Sequence, residues 1–164
     1  MQTPPIKIKK LFADAVTPKR ANITDSGLDV CVYRFEKIFS ETGVWDKPYD
    51  KKSLVLKPLD RVLIDTGLTG TVGPGYEIQV RPRSGNALKK GLIVVNSPGT
   101  IDEAYRGMIG IIIANIGHED QEIFLGERIA QLVVCPVILS EVVEVESLDD
   151  TTSRGTGGFG SSGL

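Results

Sequence analysis

At 164 residues the chain suits one ordinary domain that can bury a core without disulfide or metal staples. Hydrophobic residues make up 41% and charged residues 24%, a globular composition that excludes a disordered chain. A formal net charge of −2 excludes a general attraction to nucleic acid or to a membrane surface, so a polyanionic ligand must be held by a local cluster of donors.

The elements are short. Strands rich in Val and Ile are expected at residues 6–11, 28–33, 53–56, 61–65, 76–80, 92–95, 108–114, 121–125, 129–134 and 137–145. Turn signals fall between them at Gly67, Gly70, Gly73-Pro74-Gly75, Ser97-Pro98-Gly99 and Gly117, at the spacing of an all-β sandwich or barrel. Residues 34–52 break the pattern with a charged stretch containing Trp45 and Tyr49, expected as a long surface excursion. The one helix candidate is 84–90, with Ser84 as a cap and Gly91 as a stop; a single turn or an irregular loop is the alternative. The tail 149–164, DDTTSRGTGGFGSSGL, has too little apolar surface to stay ordered alone.

Cys31 and Cys135 sit in apolar runs and are read as two buried free thiols, which fits a reducing compartment. Residues 1–16 hold no apolar stretch of signal-peptide length, and the longest apolar-rich run, 108–116, is too short for a bilayer. A soluble, cytoplasmic protein is expected.

The single histidine, His118, lies in a polar turn, so neither a Ser-His-Asp device nor a three-histidine metal site is present. Acid–base chemistry then falls to a carboxylate, and Asp102 in GTIDEAYRG is placed most unusually, between a Gly-led turn and an apolar strand. Such aspartates more often shape turns. RPRSG at 81–85 gathers guanidinium groups, a hydroxyl and flexible amides, as phosphate binding requires. The tail repeats those ingredients in Arg154 and GTGGFGSSG, whose glycines let successive N–H groups form an anion nest. It lacks the Gly-Lys-Ser/Thr ending of a Walker loop, and a plain Gly-Ser linker is the bland alternative. Phe159, isolated among glycines, points instead to stacking on a flat ligand such as a base.

Five segments in order, SGLDV at 26–30, RPRSG at 81–85, NSPGTIDEAYRG at 96–107, GERIAQLVV at 126–134 and RGTGGFGSSG at 154–163, resemble the motifs of the trimeric dUTPases over nearly the whole chain. The resemblance implies a jelly-roll-like β-barrel subunit, residues 1–148 with 34–52 inserted, in a homotrimer with its active sites at subunit interfaces. It implies a dUTP diphosphatase that forms dUMP and pyrophosphate, lowering dUTP and supplying dUMP for thymidylate synthesis. Asp102 would activate the attacking water and Tyr105 would pack on deoxyribose. Asn96, with Gly99 and Ile101 in a hairpin at 95–101, would read uracil, and Phe159 would stack on it. Arg83, Ser84, Gly85 and Gln131 would hold the phosphates, joined by Arg154, Gly157, Gly158 and Ser161 of a mobile arm that closes over the site. Mg²⁺ would be held through waters and phosphates, with help from Asp29 in ordering that region.

The 34–52 stretch is longer than usual for that family; it reads as inert surface, with a protein-partner contact through Trp45 and Tyr49 as the alternative. A dCTP deaminase shares the fold but needs a glutamate on the strand after the third motif, where this chain has Ile112 and no acidic residue within 108–115. A regulatory nucleotide-binding protein is the other reading, and Asp102→Asn, losing turnover but not binding, separates it from an enzyme.

Overall fold

The computed structural model describes residues 4–45, 51–148, 152–153 and 155–158. Among them are β1 (Lys7–Lys10), β2 (Leu28–Cys31), β3 (Arg34–Ser40), β4 (Gly43–Trp45), β5 (Ser53–Leu56), β6 (Arg61–Asp65) and β7 (Leu68–Thr71). They are followed by β8 (Tyr76–Pro82), α1 (Ser84–Lys90), β9 (Leu92–Val94), β10 (Gly99–Ile101), β11 (Gly110–Asn115), β12 (Gln121–Phe124) and β13 (Arg128–Pro136).

Along β2, β5, β7 and β11 buried residues alternate with more exposed ones at a period of two, so each of these strands buries one face. A four-stranded sheet, β10-β8-β13-β2, and a five-stranded sheet, β4-β3-β6-β11-β9, supply most of the core. Val30, Ile78, Val80 and Leu132 from the first meet Phe35, Val62, Ile64, Ile111 and Ile113 from the second in one buried cluster. Two-stranded pairs, β1-β7 and β12-β5, complete this jelly-roll-like all-β unit, and every pairing named here is antiparallel.

Several expectations change. Residues 34–45 are not an excursion but a strand hairpin on the five-stranded sheet: β3 pairs with β6, and Phe35 is fully buried. Residues 46–50, with Tyr49, lie outside the described residues. No strand forms at 137–145, where Ile138, Leu139 and Val142 are almost fully exposed. Residues 95–101 are not a hairpin either, because β9 pairs with β11 in one sheet and β10 with β8 in the other. Cys31 and Cys135 are free but half-buried.

Helix α1 has the expected bounds, but its cap is Arg83, extended and without a side-chain capping bond, rather than Ser84. Gly91 ends the helix at φ 63°, a left-handed conformation that favours glycine. The Asn86 side chain is buried and donates to the carbonyls of Arg128 and Ile129, both at 3.3 Å. It thereby seats the helix start over the beginning of β13.

Candidate active site

The first cluster forms where β2, β13 and β8 lie side by side. Asp29 on β2 opposes Gln131 on β13, which in turn opposes Arg81 on β8. Just beyond β8, Arg83 turns back across this row and donates from Nε to Oδ1 of Asp29 at 2.8 Å. Arg128 Nη1 donates to the other oxygen, Oδ2, also at 2.8 Å. Both carboxylate oxygens thus hold guanidinium groups, and charge-assisted bonds of this length fix them firmly. Gln131 donates from Nε2 to the Pro82 carbonyl at 2.9 Å, which aims its Oε1 at Gly27. A Cβ added at Gly27 would stand 2.0 Å from that oxygen, so glycine is what leaves room for the amide. These groups line a cavity of about 380 Å³ together with Asp25, Ser26, Ser84 and Gly85. Arginines, a hydroxyl and open backbone around one cavity suit phosphate oxygens.

The second cluster follows β10. Gly99 is buried, and a Cβ there would come within 3.2 Å of Asn96 Nδ2 and of Val80. Ile101 packs inward, while Asp102 is exposed in a groove of about 220 Å³ that also contains Tyr76, Glu77, Glu103 and Leu139. Tyr105 closes the following turn through its N–H to the Asp102 carbonyl at 3.0 Å. Its hydroxyl donates to the Met108 carbonyl at 2.8 Å. Asn96, Gly99, Ile101, Asp102 and Tyr105 therefore share one edge of the four-stranded sheet. Ile112 lies on β11 within the other, five-stranded sheet, its carbonyl accepting the Val95 N–H at 2.9 Å.

The two clusters line separate grooves that share no residue. Ile101, adjacent to Asp102, pairs with Ile78, and Arg83 lies five positions further along from Ile78. At about 3.3 Å per residue that is roughly 16 Å of strand. The dUTPase family model matches residues 46–163, most of the chain.

The chain belongs to the dUTPase family.

Among its relatives, the deoxyuridine 5'-triphosphate nucleotidohydrolase of Wolinella succinogenes is 44% identical over 158 residues, covering 96% of this chain and 93% of that protein. The corresponding protein of Hydrogenobaculum sp. is 45% identical over 157 residues, covering 96% of each. A solved structure of a mutant Staphylococcus bacteriophage 80alpha dUTPase with dUpNHpp superimposes with a TM-score of 0.78 at 27% identity, covering 98% of this chain and 99% of that one.

In this dUTPase-family chain the residues read from sequence separate by place. Arg83, Ser84, Gly85 and Gln131 join Asp29 in the first cluster, and Asn96, Gly99, Ile101, Asp102 and Tyr105 form the second. Gly157 and Gly158 are half-buried after a turn in which Gly155 N–H donates to the Thr152 carbonyl at 3.1 Å. Arg154, Phe159 and Ser161 lie outside the described residues. Sequence reasoning missed Arg128 and Gly27. Arg128 stands in GERIAQ three residues before Gln131, and that spacing gives no sign that its guanidinium returns to Asp29.

Proposed function

We propose that the protein hydrolyses dUTP to dUMP and pyrophosphate at a site completed by a second copy of the chain. The observation that carries this reading is the separation of Asp102 from Arg83 along β8, each in a formed groove of its own. That separation supports a site in which the sugar end on one copy meets the phosphate cluster of another. A closed homotrimer provides three such meetings. The exposure of Ile138, Leu139, Val142 and Val143, at 89%, 88%, 95% and 68%, supports the assembly, since apolar side chains in a row call for cover.

In that site Asn96 and the backbone of Gly99 and Ile101 read uracil, Tyr105 lies against deoxyribose, and Asp102 takes the proton of the attacking water. The products require the bond between the α- and β-phosphates to break, with the leaving oxygen going to pyrophosphate. Arg83, Ser84, Gly85 and Gln131 bind the phosphates, and Arg83 neutralises charge as it develops. Arg154, Phe159, Ser161, Gly157 and Gly158 belong to the arm 149–164, which closes over phosphates and base and excludes water.

Mg²⁺ fits this chemistry when bound through the triphosphate and waters, supplying further charge neutralisation. The residues that would lie nearest such an ion are Gln131, whose amide oxygen stands over the space left by Gly27, and Asp25, which also lines the cavity while its carboxylate accepts from Asn22. Among the described residues no three His, Cys, Asp or Glu side chains form a cage. Asp29, with both oxygens on arginines, acts by ordering the cluster. Among the described residues no helix is long and apolar enough to cross a membrane, and the two free thiols support a cytoplasmic setting.

The test is pyrophosphate release with Mg²⁺ from dUTP, dCTP, dTTP and UTP. Release from dUTP alone, lost in Asp102→Asn by a factor of about 10³ while nucleotide still binds, is the expected result. Absence of release from dUTP overturns the reading.

A further inference from the structure

We infer that Thr71 and Gly107 are specificity-determining residues that hold Tyr105 in place and so set the discrimination between deoxyribose and ribose; the inference rests on the role proposed for Tyr105. Thr69 and Thr71 are two residues apart on β7, so their side chains project to the same face. The Thr71 hydroxyl donates to the Glu103 carbonyl at 2.9 Å, and the Thr69 hydroxyl to the Arg106 carbonyl at 2.9 Å. These carbonyls flank Tyr105 on either side. Arg106 closes the remaining gap: its Nη1 donates to the Glu103 and Tyr105 carbonyls at 2.5 and 2.7 Å and lies 3.3 Å from the Thr71 hydroxyl oxygen. An exposed turn that would otherwise fluctuate is thereby latched to a strand.

The ring itself is located by what lies under it. A Cβ added at Gly107 would stand 2.4 Å from the Tyr105 hydroxyl and 2.5 Å from the ring carbon bearing it, so any side chain there evicts the ring. The position is not one of forced backbone: glycine at 107 is explained by the ring, which takes the space a side chain would fill. With its backbone latched by Thr71, Thr69 and Arg106 and its hydroxyl on the Met108 carbonyl, Tyr105 is a rigid wall. Steric rejection of one extra hydroxyl depends on such rigidity, because a wall that can yield by a fraction of an ångström makes room for the oxygen.

The experiment measures kcat and KM with dUTP and UTP for the full chain carrying Gly107→Ala, Thr71→Val, Thr71→Ser or Tyr105→Ala. The expected result is a fall of about tenfold in the dUTP-over-UTP ratio of kcat/KM for Gly107→Ala. For Thr71→Val the fall is about threefold, and Thr71→Ser, which keeps the hydroxyl, restores the ratio. A merely structural role lowers both substrates together and leaves the ratio alone. If Tyr105→Ala shifts the ratio while Gly107→Ala and Thr71→Val do not, the latch is overturned and the role of Tyr105 stands. If Tyr105→Ala leaves the ratio unchanged, both fall.

Discussion

Arg83 and Asp29 are joined by a 2.8 Å bond from Nε to Oδ1, which ties the residue that caps α1 to strand β2. Arg128 takes the opposite oxygen, so one carboxylate sets the direction of two cations at the mouth of the phosphate cavity. Asp29→Ala is expected to lower kcat/KM for dUTP by about tenfold or more, because it removes both charge-assisted hydrogen bonds that direct Arg83 and Arg128. Asp29→Asn, which keeps an acceptor, costs less. Steady-state kinetics of both variants check this, and equal losses in the two would contradict it.

The same carboxylate acts on Cys31. Burial first, and the Asp29 charge second, push the Cys31 thiol above its ordinary value, while Arg128 and Arg83 oppose them. A value raised by folding means that the fold favours the neutral thiol. The associated stability is intact below the ordinary thiol range and is lost as pH rises through the raised value. Alkylation of Cys31 by iodoacetamide at about pH 8.5 is therefore slower in the folded protein than in the unfolded chain. Asp29→Asn removes one cause of the shift and speeds it. A slower reaction in Asp29→Asn would contradict the assignment.

Strand β3 carries a prediction about stability. Phe35 is fully buried among residues of both main sheets, and Phe35→Ala should cost about 3–5 kcal/mol. Val44 on β4 is 60% exposed, and Val44→Ala should stay within about 0.5 kcal/mol. Chemical denaturation of both variants measures the difference, and a Phe35→Ala variant as stable as the parent would show that the hairpin does not pack on the core.

Much of the fold was legible because most strands declare themselves by alternation. Leu54 and Leu56 on β5, or Val62 and Ile64 on β6, face inward two residues apart. β3 escaped because Arg34, Glu36 and Lys37 dominate its composition, and because a bulge between Phe35 and Lys37 breaks its period. β7 and β10 escaped because Thr and Gly in such short runs look like turns. The run at 137–145 misled in the other direction: its Val and Ile side chains look like those of a strand, yet most of them stand exposed and the run forms none. The candidate site residues came from ordered motifs, whereas their division between two grooves was not legible there. That division follows from the β8–β10 register, which no local pattern encodes.

The most direct test of a site shared between copies is subunit mixing. Asp102→Asn and Arg83→Ala chains, each inactive alone, are unfolded together, refolded at equal concentration and assayed for pyrophosphate release from dUTP. Random assortment into closed trimers gives about a quarter of the sites an intact Asp102 from one copy and an intact Arg83 from another, so activity should return to about a quarter of the parent's. No recovery in mixtures shown to have exchanged subunits would contradict the account, because it would mean that Asp102 and Arg83 serve the same substrate from one chain.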